Sequence, residues 1–336
     1  MSTTPPSRTH VLVAWWDTHQ VLLYLAAILA GAVLGLSAPG TAPTLEHTIN
    51  PVLALLLFAT FLGVPLIEVG RAFGDVRFLG TVLVGNFVVV PLLAFGLSRF
   101  VADDRGLMLG VLLVLLTPCI DYVIVFTGLA GGARARLLAA TPLLMLAQML
   151  LLPLYLWMFA GREVLDVVDV APFIEAFVVL IVAPLSAAAL VQALGRRHRF
   201  GEMVAAVMAA AMVPLMMATL AVVIGSQVAA VGSRAFDLAR LVPLYVVFVV
   251  VTVACGVFAG RAARLDAPGT RAVAFSFATR NSLVVLPLAL ALPAAFDIAP
   301  LAVVTQTMVE LVAMVVLVRF VPRLVPEDVD EPMTVG

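Results

Sequence analysis

Nine residues in this chain have side chains able to do chemistry inside otherwise apolar stretches. The segment LMLGVLLVLLTPCIDYVIVFTGLA places Thr117, Cys119 and Asp121 within five residues, and RAVAFSFATRNSLVVLPLAL places Arg280, Asn281 and Ser282 in a row. Gln306 and Glu310 are four residues apart and therefore share a helix face. Asn86 lies in a third apolar stretch, followed by Pro91. A cysteine thiolate is a soft ligand suited to a thiophilic centre. A guanidinium grips carboxylates and oxyanions. A carboxylate away from water takes up a proton or a metal cation.

Thr117 followed by Pro118 has the form of a helix start, because Thr caps free N–H groups and Pro fits the first helical position. The helix is therefore expected to break and restart here, with Cys119 in the first turn of the new half-helix. There the exposed N–H groups favour negative charge. The alternative is a proline kink around a buried, inert thiol. Arg280, the only arginine within an apolar stretch, needs a partner or a water-filled cavity. Asp121 is the expected partner, either as part of a transport site or as a structural ion pair locking a crossing of two broken helices. Counting Asp121, Arg280 and Glu310 as charged leaves one negative charge, which a bound cation or proton would neutralise. Glu310 held permanently protonated as a hydrogen-bond donor is the alternative reading. Asn86 and Gln148 also suit ordinary helix–helix hydrogen bonds. Cys255 reads as packing, and Glu68 and Glu175 as reaching lipid headgroups.

The elements that must position these residues follow from composition. Of 336 residues 63% are apolar and 12% charged, against about 45–50% and about 25% in soluble domains. Mean hydropathy is +1.17. Such a chain belongs in a bilayer. Apolar stretches run about Val21 to Leu36, Pro51 to Ile67, Phe78 to Leu97, Leu107 to Leu129 and Leu137 to Phe159. A second set runs about Pro172 to Leu194, Met203 to Val223, Leu241 to Ala259, Ala272 to Leu292 and Pro300 to Val318. The expected fold is an all-α integral membrane protein of ten transmembrane helices. It forms one polytopic domain over residues 1–336.

All 19 basic residues are arginine. With the N-terminus inside, 13 of them fall in inside segments and 5 in outside loops, which puts both termini in the cytoplasm of a plasma-membrane protein. Trp15 and Trp16 suit the interface. Ten spans with both ends inside permit two inverted five-helix repeats, one over about 20–160 and one over about 172–325, with an acidic cytoplasmic tail at 326–336. The interruptions in spans four and nine fall at corresponding places, and discontinuous helices paired in this way mark a transporter's binding site.

Other functions find no support. A net charge of −1 offers no basic surface for nucleic acid. No His-Glu-x-x-His, Gly-x-Ser-x-Gly or Gly-x-x-x-x-Gly-Lys pattern occurs, so an enzyme is not expected. Nothing calls for a cofactor or a resident metal.

Four segments carry a family resemblance: NFVVVPLLAFGL from Asn86, TPCIDYVIVFTGLAGG from Thr117, FATRNSLVVLPLALAL from Phe277 and VVTQTMVELVAMVVLV from Val303. They resemble the arsenite-efflux permeases within the bile acid:sodium symporter superfamily. The resemblance implies that Cys119 is central to transport and that Glu310 is an important acidic residue. It also implies a core of spans three to five and eight to ten moving against a panel of spans one, two, six and seven. Asp121-Tyr122 and Thr279-Arg280-Asn281-Ser282 depart from that family's usual sequences and mark a divergent member.

The expected function is a secondary active transporter exporting arsenite, with antimonite as a further substrate, coupled to protons or the membrane potential. The alternative is a sodium-coupled importer of an organic anion. Substrate binding falls to Cys119, Thr117, Arg280, Asn281 and Ser282. Ion coupling falls to Glu310, Asp121, Gln306 and Asn86.

Overall fold

In a hydrocarbon environment every backbone N–H and C=O must find its partner within the protein, so apolar stretches of this length fold as helices. The computed structural model describes residues 8–63, 73–120, 122–161, 178–195 and 199–327. The expected roles of Asp121, Glu68 and Glu175 lie outside the described residues. The first helices are α1 (Arg8–Ser37), α2 (Ala42–Gly63) and α3 (Val76–Val101), the last passing through a π-helical turn at Gly85–Val89. Two half-length helices follow, α4 (Arg105–Leu115) and α5 (Tyr122–Leu129), then α6 (Arg134–Ala160). Next are α7 (Ala183–Gly195), α8 (Arg199–Ser233) and α9 (Leu241–Ala262). A second half-length pair, α10 (Ala267–Ala278) and α11 (Ser282–Leu290), precedes α12 (Ala299–Leu324).

Among the described residues, seven helical stretches are long and apolar enough to cross a membrane. They fall on α1, α2, α3, α6, α8, α9 and α12. No strand is present among the described residues beyond one isolated bridge. The chain is thus an all-helical, multi-pass membrane protein. The interruptions expected within Leu107–Leu129 and Ala272–Leu292 are the gaps that divide α4 from α5 and α10 from α11.

Several starts are set by short acidic caps. Asp75 accepts from Phe78 N at 3.0 Å, Asp104 from Leu107 N at 3.0 Å and Asp266 from Gly269 N at 3.3 Å. Pro142 and Pro153 in α6 and Pro214 in α8 sit within continuous helix, as membrane helices tolerate when neighbours satisfy the freed carbonyls.

Contacts cluster the chain into two compact units. The first joins residues 1–63 with 173–235. In it α8 packs on α1 and α2, and α7 on α2. Gly31 and Gly35 of α1 meet the backbone of Ala221 and Gly225 so closely that a Cβ on either would overlap it. This is the small-x-x-x-small spacing by which membrane helices approach. Gln192 Nε2 donates to the carbonyls of Phe61 and Leu62, each at 3.1 Å, and ties α7 to the end of α2.

The second unit joins residues 64–172 with 236–336, the segments that the resemblance assigns to a core. Here α9 packs on α10, and α12 against α4, α9 and α11. Gly256 and Gly260 of α9 repeat the small-residue spacing against Ala274 and Thr270 of α10. One end of the unit is bound by arginines. Arg136 pairs with Asp266 at 2.6 Å and Asp75 at 3.5 Å. Arg271, 5% exposed, donates to the carbonyls of Ala130, Gly131 and Val325 and to Glu327. Asp103, in the loop after α3, pairs with Arg240 at 2.5 Å. That hydrogen bond from Arg240 holds its carboxyl below the usual carboxylate range.

Candidate substrate and ion site

The two helix breaks of the second unit meet backbone to backbone. Pro118 and Arg280 form an antiparallel bridge, Cys119 N donates to Thr279 O at 3.2 Å, and Asn281 N donates to Thr117 O at 2.8 Å. Each interruption thereby satisfies peptide groups that the other leaves open, as burial without water requires.

Both breaks begin with a threonine that closes the helix before it. The hydroxyl of Thr117 donates to Leu113 O and Val114 O at 3.2 and 3.1 Å. That of Thr279 donates to Phe275 O at 2.8 Å. This corrects the expectation for Thr117. It does not start a half-helix with Cys119 in its first turn, because residues 118–120 lie outside any helix and α5 runs Tyr122–Leu129. Pairing with the other break takes up these backbone groups, and the Thr117 hydroxyl serves the orphan carbonyls behind it. Cys119 is 1% exposed and lies in this non-helical stretch.

Arg280 is fully buried. Its guanidinium Nη2 donates to Asn86 Oδ1 at 2.8 Å and to Ser276 O and Phe277 O, both at 2.9 Å. Nη1 donates to Leu115 O at 3.3 Å. The ring of Phe248 lies 5.5 Å from its centre. Among the described residues the guanidinium meets no carboxylate. Asn86 sits in the π-helical turn of α3 and is oriented by its own amide, which donates to Val82 O at 3.0 Å and Ser276 Oγ at 2.9 Å. Gly85 beside it lets the Phe277 ring come against the α3 backbone where a Cβ would stand.

Glu310, 1% exposed on α12, accepts from Arg280 N at 2.8 Å, from the Tyr122 hydroxyl at 2.7 Å and from Gln306 Nε2. Tyr122 Oη also reaches Arg280 O at 3.2 Å. The expected face shared by Gln306 and Glu310 is thus a direct hydrogen bond. Tyr122 is a site residue that sequence reasoning missed, since nothing in a tyrosine beside an aliphatic run distinguishes it from packing. Gln148, expected in a helix–helix bond, has a buried Oε1 without a partner.

Four polar atoms around the breaks are also buried and unpartnered: Arg280 Nε, Asn281 Nδ2, Ser282 Oγ and Gln306 Oε1. Asn281 caps α11 through Oδ1, which accepts from Val284 N at 3.4 Å, and this leaves its amide nitrogen open. Buried polar groups in folded proteins nearly always have partners. Arg280, Asn281 and Ser282 thus each carry a buried polar atom without a partner, in a row at the start of α11. The structure brings Cys119, Thr117, Arg280, Asn281, Ser282, Asn86, Gln306 and Glu310 to one junction.

Paired broken helices in a multi-pass helical protein are an arrangement found in secondary transporters. Residues 50–234 match the Sodium Bile acid symporter family, and the chain belongs to that family. The match takes in Asn86, Thr117 and Cys119 and ends before Arg280 and Glu310. No curated protein matches the chain.

Proposed function

We propose that the chain is a secondary active transporter of a small organic anion, coupled through Glu310. The described helices are read as ten spans in two inverted five-helix repeats, in the plasma membrane with both termini cytoplasmic. The observation that carries the reading is the run of open donors Arg280 Nε, Asn281 Nδ2 and Ser282 Oγ at the start of α11. A helix N-terminus favours negative charge, and a carboxylate or related oxyanion supplies the acceptors these donors lack. Glu310, one backbone amide away, is the group whose charge changes when a proton is taken up or released.

A second reading is arsenite or antimonite efflux on Cys119, as the resemblance implies. It is favoured by the thiol's burial at the junction, where Cys119 N donates to Thr279 O. Purified chain in liposomes separates the two. Uptake of small organic carboxylates that survives Cys119→Ser but falls with Asn281→Ala and Ser282→Ala supports the first reading. Transport confined to arsenite and lost in Cys119→Ser establishes the second. Transport of neither class by the wild-type chain removes both.

A further inference from the structure

We propose that the Arg280 guanidinium is a tethered monovalent cation, filling the position that a dissolved coupling cation would otherwise occupy. The last four carbonyls of any helix lack intrahelical donors and carry the negative end of its dipole. In α4 those of Leu112, Leu113 and Val114 are met by Leu116 N and by Thr117. The one remaining, Leu115 O, receives Arg280 Nη1. In α10 Phe275 O receives Thr279, and Ser276 O and Phe277 O both receive Arg280 Nη2.

The guanidinium therefore lies between the carbonyl ends of two interrupted helices, with Asn86 Oδ1 as its fourth oxygen. Half-helix carbonyl ends and unwound carbonyls are where broken-helix transporters hold their coupling cations. All four acceptors here are neutral oxygens, the ligand set suited to a hard monovalent ion, and a carboxylate, Glu310, stands next to it on the Arg280 backbone. Among the described residues the guanidinium is held as an ion is held, by half-helix carbonyl ends and one amide oxygen. A covalent cation at this place cannot leave, so it cannot carry a gradient. The coupling given to this site above then runs on the proton at Glu310 and not on sodium.

That consequence rests on the transport reading, whereas the occupancy itself is tested without transport. Full-length chain in detergent is melted in sodium, potassium or choline chloride at equal ionic strength. The wild type is expected to melt at one temperature in all three. Arg280→Ala is expected to melt lower in choline and to recover saturably with sodium or with low guanidinium, as binding to the folded state requires. Arg280→Lys, which restores a tethered charge, should again be indifferent to the salt. A sodium-specific rise in the wild type overturns the proposal. So does a folded Arg280→Ala that no cation stabilises, or one recovered in none of these salts. If the cation pattern holds but no gradient drives uptake, the transport reading fails and the occupancy stands.

Discussion

Glu310 binds the backbone of Arg280 and not its guanidinium. The carboxylate accepts the Arg280 N–H at 2.8 Å, while the side chain of the same residue turns away to neutral oxygens. Two buried groups of opposite charge are thus neighbours through the chain, each with its own set of partners. A proton on Glu310 changes the charge of the junction without breaking any ion pair among the described residues.

Replacing Glu310 by Gln tests this arrangement. Both carboxylate oxygens accept hydrogen bonds, three in all with Tyr122, Arg280 N and Gln306. Glutamine offers one oxygen and turns an NH2 toward a donor, so a loss of about 1–3 kcal/mol is expected. In liposomes Glu310→Gln should equilibrate substrate but lose accumulation driven by an imposed pH gradient. Undiminished accumulation would place coupling elsewhere.

Tyr122→Phe removes a hydroxyl and little else. It deletes the bond to Glu310 Oε1 at 2.7 Å and the contact with Arg280 O at 3.2 Å. A hydrogen bond to a charged group contributes about 1.5–3 kcal/mol, and a loss in that range is expected in thermal or denaturant unfolding. Because the hydroxyl is one of three donors to Glu310, the pH dependence of transport should shift as well. A variant of unchanged stability and pH profile would remove Tyr122 from the site.

Gly85→Ala probes the close approach of α3 and α10. The added methyl meets the ring of Phe277, itself 1% exposed, so the variant should lose about 1–3 kcal/mol from overpacking. The displacement should also loosen Asn86 from Ser276 and Arg280. Phe277→Leu in the same chain should recover part of the loss. If the double variant melts no higher than Gly85→Ala alone, the two residues are not in contact.

Arg271→Ala releases the end of the unit. The carbonyls of Ala130, Gly131 and Val325 would lose their common donor, at about 1–3 kcal/mol for buried groups left unmet. Cleavage near residue 325 by added protease should quicken. Glu327→Ala should do little, because that side chain is 68% exposed and exposed pairs contribute about 0–1 kcal/mol.

Much of this protein is legible in its sequence, for reasons that are local. Apolar content and span length fix a helical membrane protein, because lipid leaves the backbone no other way to satisfy itself. The two interruptions are visible because Thr117-Pro118 and Thr279-Arg280-Asn281 break runs of aliphatic residues. Gln306 and Glu310 share a face by helical period alone. The tertiary structure alone decided what these residues meet. Thr117 reads as the cap of the next helix, and only the antiparallel pairing of Pro118 with Arg280 shows why it closes the previous one. Arg280 reads as needing a partner, and the carbonyl ends of α4 and α10 supply acceptors for it; those belong to the backbone, which every residue shares and no sequence distinguishes. Tyr122 and Gly85 matter through partners 188 and 192 residues away, Glu310 and Phe277. Such contacts depend on which helix faces which, and that is set by packing across the whole unit.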